Sequence, residues 1–204
     1  MEQELILVNP SEEYLKELLD YRNEFLANGN SMDGCGPLRK FTDMKEYLNE
    51  TNKYLNPATL PEGMVIATQF LCIRKSDNKL VGMIQVRHYF NEYLEKYAGH
   101  IGYSVRPSER RKGYASWMLN NIKPFCRSIG LDKILVCCLN NNVGSRKTIL
   151  TNGGIYYRTY LSHIHLADRV ECDTLPCRFS RGLVTDSSDG SDWNMVSGTA
   201  GYED

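Results

Sequence analysis

The residues with the clearest chemical potential form a short basic turn, Arg110-Arg111-Lys112-Gly113-Tyr114-Ala115. It lies between a run of strand-forming residues and an amphipathic segment of helical spacing. The start of a helix presents backbone N–H groups and the positive end of the helix dipole, and both favour a bound anion such as phosphate. Gly113 permits a positive φ and the close approach of a ligand. The basic turn therefore predicts a phosphate site.

A basic turn with a glycine is by itself compatible with several classes of nucleotide-binding protein, and also with an ordinary solvated connection. This one lacks the Lys-Ser/Thr ending of a P-loop and the three glycines of a dinucleotide fingerprint. The elements on either side of the turn must decide between these interpretations.

Strand-like runs precede the basic turn. Residues 70–74 and 80–88 flank a polar stretch, 75–79, that is typical of a hairpin turn. A third run, 99–105, ends where Pro107 cannot extend a strand ladder. Nearer the N-terminus, residues 4–8 predict a strand. Two helices, expected to be peripheral, are predicted after Ser11 and over residues 41–55.

An amphipathic helix and a buried strand follow the basic turn. Apolar residues recur at helical spacing from Ala115 to Ile129, and Pro124 inside this pattern predicts a kink. Residues 133–139 form a continuous apolar run, which is typical of a strand buried on both faces. The order strand, helix, strand predicts a parallel crossover. A further helix is predicted over residues 142–152, and two final strands within residues 155–165 and 169–183.

This arrangement resembles the GNAT superfamily of acyl-CoA N-acyltransferases. Arg110-x-x-Gly113-x-Ala115 matches its Gln/Arg-x-x-Gly-x-Gly/Ala signature, and Asn142-x-x-Ser145 after residues 135–139 is similar to the helix that follows its fifth strand. The resemblance covers residues 69–157. It implies an α+β fold with a central, mixed, mostly antiparallel sheet of six to seven strands, splayed between strands four and five and flanked by helices. We expect a single N-acetyltransferase domain over residues 1–183.

The resemblance also implies that acetyl-CoA lies in the splayed gap as co-substrate, without a metal. The implied cofactor-binding residues are Tyr103, Ser104 and Val105 for the pantetheine and thioester, Arg110, Arg111, Lys112, Gly113, Tyr114, Ala115 and Ser116 for the pyrophosphate, and Asn142 and Ser145 for the other wall.

The implied reaction is transfer of an acetyl group to a primary amine, with a small-molecule acceptor slightly preferred over a protein. The amine would enter beside residues 20–60 and 88–98. In GNAT enzymes the proton donor is often a Tyr seven residues after the Asn that Asn142 matches, and that position holds Ile149. This departure leaves open a non-catalytic acyl-CoA-binding regulatory module. A scaffold that docks through its acidic tail is a third interpretation.

Two residues are candidates for the general base that deprotonates the amine. His100 is the first, because a histidine near the start of the central strand titrates close to neutral pH. A histidine that is only packed or hydrogen-bonded there fits the pattern as well. Glu92, close to Glu95 in a charged connection, is the second, although charges in a loop are usually solvated. His88 is a weaker candidate.

Bulk composition sets the remaining limits. The chain has 204 residues, of which 42% are hydrophobic and 24% charged, which fits a soluble globular protein. Its net charge of -1 gives no reason to expect nucleic acid or a membrane surface as partner. It shows neither a signal peptide nor a run of about 20 apolar residues. Its seven cysteines show no framework spacing. We expect a cytoplasmic protein, and the sequence leaves open a homodimer.

Two further features lie near the C-terminus. Residues 184–204 are rich in Ser, Gly and Asp and contain no Lys or Arg, so we expect an acidic, disordered tail. His163, His165, Cys172 and Cys177 are the potential zinc ligands. Their spacing is not that of a zinc knuckle, which favours ordinary hairpin residues and no metal.

Overall fold

The computed structural model describes residues 4–139, 141–161 and 166–173. These residues form one sheet with strand order β1-β2-β3-β4-β5-β7-β6. The strands are β1 Leu5–Val8, β2 Ala67–Arg74, β3 Lys79–Arg87, β4 Ile101–Val105, β5 Lys133–Leu139, β6 Gly154–Leu161 and β7 Leu166–Asp173. All neighbours pair antiparallel except β4 and β5, which pair parallel. The predicted fold class, a mixed and mostly antiparallel sheet with helices, is confirmed.

The helices cover both faces of this sheet. They are α1 Leu15–Ala27, α2 Met44–Lys53, α3 Tyr114–Asn121, α4 Lys123–Ser128 and α5 Val143–Thr151. Short 3-10 turns occur at Glu12–Tyr14, Leu38–Lys40 and Pro107–Glu109, and a π-type turn at Leu94–Ala98. In the described part of the chain no helix combines the length and the apolar character that crossing a bilayer requires.

Helices α1 and α2 cover one face of the sheet. Leu18, Tyr21 and Phe25 lie three and four positions apart on α1, so they share one helix face, and all three are fully buried. They pack in a cluster with Tyr47 of α2 and Met83 of β3. Truncating a buried ring such as that of Phe25 to alanine costs roughly 3–5 kcal/mol. The expectation that these helices are peripheral is therefore wrong.

Helices α3, α4 and α5 pack with a second cluster on the sheet. Met118 of α3 and Ile149 of α5 are fully buried there beside Val136 of β5. Helix α3 approaches β3 closely, since a Cβ atom built on Gly82 would lie 2.7 Å from Met118 Cε. The start of α3 is thereby fixed next to the end of β4.

The long helix predicted after the basic turn is two helices. Helix α3 ends at Asn121 and α4 begins at Lys123, with Pro124 in the first turn of α4. Proline lacks an N–H and clashes with the preceding turn, so it is accommodated at a helix start. The prediction of a kink at Pro124 is borne out as a break at Ile122.

The last two strands form a hairpin whose second strand starts earlier than predicted. Strand β7 covers Leu166–Asp173, whereas the sequence predicts a strand within residues 169–183. It pairs with β5 from Leu139↔Ala167 to Lys133↔Asp173. The early start of β7 therefore goes with its pairing along β5, and no local pattern in β7 itself reveals this partner.

Candidate active site

The central strands separate to leave a gap. Strands β4 and β5 are in register at one pair, Ile101↔Val136, and just before it the His100 N–H donates to the Leu135 carbonyl at 2.8 Å. Beyond that pair, toward the C-terminal ends of both strands, the described residues show no further register between β4 and β5. We call this opening the β4–β5 gap.

The backbone of β4 faces this gap. The Arg106 N–H donates to the Val81 carbonyl of β3 at 2.9 Å, so even-numbered residues of β4 direct their backbone groups toward β3. Successive residues of a strand point their N–H and C=O groups to opposite sides. Tyr103 and Val105 therefore direct theirs into the gap, where an extended amide-containing ligand can pair with them.

The basic turn lies at the C-terminal end of β4 and opens α3. Gly113, the N-cap of α3, has φ 82 and ψ 1, a left-handed conformation that glycine adopts without strain. A Cβ atom added there would meet nothing within 4 Å. Within the described ranges the backbone N–H groups of residues 111–116 donate to no acceptor. This arrangement fits a bound diphosphate.

The cations of the basic turn have different environments. The Arg110 guanidinium donates from Nε to the Val105 carbonyl at 3.3 Å and lies 5.7 Å from the centre of the Phe25 ring. Arg111 is exposed with φ 65, also left-handed. Lys112 donates to Glu109 at 2.7 Å. Arg110 and Lys112 thus have protein partners, and Arg111 presents its charge to solvent.

A buried carboxylate that sequence reasoning missed supports the turn. Glu109 is only 4% exposed and accepts hydrogen bonds from Arg74, Lys79 and Lys112 at 2.7–2.8 Å. Burial raises the pKa of Glu109, but the bonds from Arg74, Lys112 and Lys79 outweigh it and lower the pKa to about 2. Glu109 is therefore ionised at neutral pH and cancels part of the positive charge around the turn.

The side chains at the start of α3 are mostly structural. Tyr114 is buried and its hydroxyl accepts a bond from Arg74 at 2.9 Å. The Ser116 hydroxyl accepts from Asn152 at 2.8 Å, which ties α3 to the end of α5. Ala115 is half-buried and small. What these three residues offer a ligand is their backbone N–H groups.

The other wall of the gap is the first turn of α5. Asn142 is its N-cap, and its Oδ1 accepts from the Ser145 N–H at 2.8 Å. The Ser145 hydroxyl shares a 2.7 Å hydrogen bond with the Tyr103 hydroxyl. The structure thus brings Tyr103 and Ser145 into contact across the gap, whereas Asn142 acts on its own helix.

The side chain of Ser104 points to the face of β4 opposite to the one that carries the Tyr103 side chain. Its hydroxyl lies 3.1 Å from the Tyr21 hydroxyl and 3.1 Å from Cys35 Sγ. Burial raises the pKa of the Cys35 thiol to about 12, so the thiol is neutral and does not act as a nucleophile at neutral pH. Through its contacts with Tyr21 and Cys35, Ser104 links β4 to α1 and to the segment between α1 and α2.

His100 lies at the closed end of the gap. It is only 7% exposed, and its ring stacks on Phe90 with centroids 4.0 Å apart. Its Nδ1 accepts a 3.0 Å hydrogen bond from the Leu135 N–H, which can only donate. The neutral ring therefore carries its proton on Nε2, and it must lose the Leu135 bond before it can accept a second proton. This geometry favours a structural role for His100.

Glu92 lies on the surface. Its side chain is 81% exposed and forms an ion pair with Lys96. The hydrogen bond from Lys96 is the main cause that lowers the pKa of Glu92, and the positive charge of Lys96 lowers it further. An open depression surrounds it, lined by Asn91, Glu92, Tyr93, Lys96 and Tyr97. The structure does not bring Glu92 together with the residues of the β4–β5 gap.

A second carboxylate that sequence reasoning missed lies beside β4. Asp33 is half-buried and accepts a 2.9 Å hydrogen bond from the Ser31 hydroxyl. Burial raises the pKa of Asp33, while the Ser31 bond and the nearby Arg87 guanidinium oppose the rise. Its neighbour Gly34 packs against Gly102, next to the last β4–β5 pair. The surrounding sequence reads only as a loop, so no local signal marks Asp33.

The loop that carries Asp33, residues 31–36, is fixed on the sheet by Gln69 of β2. Gln69 is only 2% exposed, and its Nε2 donates to the Gly34 and Ile84 carbonyls at 2.8 and 3.1 Å. Its Oε1 is buried and accepts no hydrogen bond from the described residues. A hydrogen-bond acceptor is therefore left beside the 31–36 loop.

Metal ligands are not grouped in the part of the chain that the structure describes: no three His, Cys, Asp or Glu side chains there come together as a metal site. Of the potential zinc ligands, His163, His165 and Cys177 lie outside the described residues. The expected tail, residues 184–204, also lies outside them.

Three solved structures that share this fold are acetyltransferases. The ribosomal-protein-S5-alanine acetyltransferase from Vibrio fischeri is 15% identical with a TM-score of 0.59, covering 83% of this chain and 92% of its own. The microcin C7 self-immunity acetyltransferase MccE, in complex with acetyl-CoA and AMP, is 16% identical with a TM-score of 0.61 and the same coverage. The ribosomal L7/L12 alpha-N-protein acetyltransferase RimL, in complex with coenzyme A, is 16% identical with a TM-score of 0.60, covering 83% and 93%. At these identities the likeness shows the fold.

Sequence comparison points to the same family. None of the curated proteins compared with the chain matches it. The model of the acetyltransferase (GNAT) family matches residues 41–150, which is more than half of the chain. That span includes the β4–β5 gap, the basic turn and most of α5. The chain belongs to the acetyltransferase (GNAT) family and is an acyltransferase enzyme.

Proposed function

We propose that this enzyme transfers the acetyl group of acetyl-CoA to a primary amine, with a small-molecule acceptor preferred over a protein. The observation that carries the proposal is the row of backbone N–H groups at residues 111–116, without acceptors among the described residues, at the mouth of the β4–β5 gap. An anionic diphosphate supplies acceptors for such groups. The acetyl-CoA bound to MccE supports the choice of donor.

The residues around the gap divide the binding of the donor between them. The N–H groups at the start of α3 and the exposed Arg111 bind the pyrophosphate. The backbone groups of Tyr103 and Val105 pair with the pantetheine amides, because they face the gap. Ser145 and the Asn142-capped turn of α5 form the opposite wall. Acetyl-CoA supplies an activated thioester, and the protein must hold it beside β4.

The amine that accepts the acetyl group binds at the 31–36 loop, on the face of β4 to which the Ser104 side chain points. Asp33 and the buried Oε1 of Gln69 are hydrogen-bond acceptors there, and a primary ammonium group is a donor. Among the candidates for the base, Asp33 is better placed than Glu92, which is solvated, and than His100, whose Nδ1 is engaged. A raised pKa suits a carboxylate that must take a proton near neutral pH.

The surface charge of the protein bears on the size of the acceptor. The net charge of -1 supplies no strong surface field that would attract a charged protein partner. The ribosomal L7/L12 alpha-N-protein acetyltransferase among the structural neighbours makes the N-terminal amine of a protein the competing acceptor.

The test is a thiol-release assay with acetyl-CoA against a panel of small primary amines and a matched panel of peptides with free N-termini. Turnover with at least one small amine, at a kcat/KM above that of every peptide, is the expected result. Turnover with peptides alone would correct the acceptor class. Binding of acetyl-CoA without release of thiol on any amine would overturn the proposed function.

A further inference from the structure

The hydroxyl of Tyr103 is placed where the acyl donor must lie. Tyr103 is half-buried on β4, and its backbone faces the β4–β5 gap. Its hydroxyl reaches the first turn of α5, 2.7 Å from the Ser145 hydroxyl and 3.3 Å from the Ser145 carbonyl oxygen. A thioester held along β4 therefore lies next to the Tyr103 phenol. The backbone of β4 holds one end of this side chain, and the contacts with Ser145 hold its hydroxyl.

The leaving sulfur needs a proton at this place. When the amine nitrogen forms its bond to the acetyl carbon, the C–S bond breaks and its electron pair goes to sulfur. A thiolate is a poorer leaving group than a thiol, so an acid beside the sulfur lowers the barrier. Helix α5 supplies no acid one turn beyond Ser145, because Ile149 is apolar and fully buried.

Neighbouring hydroxyl groups are engaged away from the gap. The Ser104 hydroxyl faces Tyr21 and Cys35 on the opposite side of β4. The Tyr114 hydroxyl lies against Arg74 in the support of the basic turn. Tyr103 is thus the phenol that the described part of β4 and α3 offers to the gap.

We propose that Tyr103 is the general acid of the acetyl transfer and that Ser145 is its positioning residue. The phenol gives its proton to the sulfur as the C–S bond breaks, so that coenzyme A leaves as a thiol. The acceptor ammonium loses one proton to Asp33 before the attack, and Asp33 passes that proton to solvent. After the C–N bond forms, the same nitrogen loses a second proton, which restores the phenol, so the reaction balances. This inference rests on the proposed function, since it needs acetyl-CoA in the gap.

The test compares acetyl-CoA with its selenoester analogue, in which selenium replaces the sulfur. A selenolate is a much weaker base than a thiolate and needs little help from an acid. We expect Tyr103→Phe to lower kcat with acetyl-CoA roughly 100-fold, at a similar KM, and to lower kcat with the selenoester less than about 10-fold. Ser145→Ala should show the same pattern at a smaller amplitude. Tyr47→Phe, which removes a buried phenol that bonds the Cys35 carbonyl, is the control and should leave the ratio of the two donors unchanged.

An equal loss with both donors, or a kcat of Tyr103→Phe within about threefold of the native value, would overturn the assignment. If Tyr103→Phe fails to fold, fluorotyrosine at position 103 keeps the shape of the ring and changes the acidity of the phenol. Its rate should then differ from the native rate with acetyl-CoA and not with the selenoester, and equal rates with acetyl-CoA would remove Tyr103 as the acid. An enzyme whose native form turns over no amine would instead refute the proposed function itself.

Discussion

Gly34 packs so closely against Gly102 that a Cβ atom built on Gly34 would lie 2.1 Å from the Gly102 carbonyl oxygen. Gly34 also has φ +70, which an L side chain adopts only with strain. Both residues must be glycine or nearly as small for the 31–36 loop to rest on β4. This contact places Asp33 beside the strand that lines the β4–β5 gap.

Asp33→Asn should lower kcat/KM for the amine by roughly 100-fold if Asp33 takes the proton of the acceptor. In the native enzyme kcat/KM should fall as the pH drops through the raised pKa of Asp33, above its ordinary 3.8, because only the carboxylate accepts a proton. The positive charge of Arg87 on β3 acts on this group and opposes the rise of its pKa. The variant should show a low rate and no such acid limb. A pH–rate profile of kcat/KM for both proteins is the measurement.

A stability measurement on Asp33→Asn distinguishes a functional role of Asp33 from a structural one. A folded pKa above the unfolded one means that Asp33 favours folding at low pH and that this contribution is lost as the pH rises through the folded pKa. At neutral pH the variant should therefore have a Tm no lower than the native protein. Asp20→Asn removes an equal charge from the surface of α1 and should change neither rate nor profile. A native rate in Asp33→Asn would exclude Asp33 as the base.

Gly113→Val should weaken the binding of acetyl-CoA at least about tenfold, because the left-handed φ of 82 and the close approach of the diphosphate both exclude a β-branched side chain. Gly130 is a matched control. It has the same φ of +82 and the same open surroundings but lies between α4 and β5, away from the gap. Both substitutions should lower Tm by a similar amount, since the backbone strain is alike.

Calorimetric titration with acetyl-CoA and thermal unfolding of both glycine variants provide the comparison. Only Gly113→Val is expected to lose affinity. Similar affinities for the two variants would mean that the basic turn does not hold the donor, and the phosphate site would have to be sought elsewhere.

The parts of the site that the sequence predicts are those encoded in one continuous segment. The end of β4 at Val105, the basic turn and the start of α3 depend on neighbours in the chain, so Pro107 and Gly113 mark them locally. The N-cap role of Asn142 is of the same kind, because its partner Ser145 is three residues away.

The remaining parts depend on contacts between distant segments. Glu109 is paired with Arg74, 35 positions away, and only the folded chain shows that this carboxylate is buried. Asp33 gains its place from the contact of Gly34 with Gly102. Helices α1 and α2 have ordinary amphipathic patterns, which indicate a buried face without naming the surface that covers it. Such information cannot be obtained from local patterns.

His100→Asn should leave the pH–rate profile unchanged, because an asparagine oxygen can replace Nδ1 as the acceptor for the Leu135 N–H. His100→Phe removes that acceptor and leaves a buried N–H without a partner, which costs about 1–3 kcal/mol. We therefore expect the loss of unfolding free energy to be larger in the Phe variant than in the Asn variant. Chemical denaturation and a pH–rate profile of each variant test this. A limb that disappears in His100→Asn would make His100 the base after all.

Glu109→Gln should lower the free energy of unfolding by about 2 kcal/mol at neutral pH. Breaking a fully buried ion pair costs about 3–5 kcal/mol, and the loss is smaller here because Lys79 and Lys112 are partly exposed. The folded pKa of about 2 lies below the ordinary 4.5, so the carboxylate stabilises the fold above pH 4.5 and loses this effect as the pH falls toward 2. The difference in stability between native protein and variant should therefore be constant from pH 7 to about 5 and shrink below that. Urea unfolding at a series of pH values measures it. Because the neutral amide leaves more positive charge near the turn, the affinity for acetyl-CoA at low salt should not decrease as long as the variant is folded. A difference that is independent of pH down to 3 would show that Glu109 acts through packing and not through its charge.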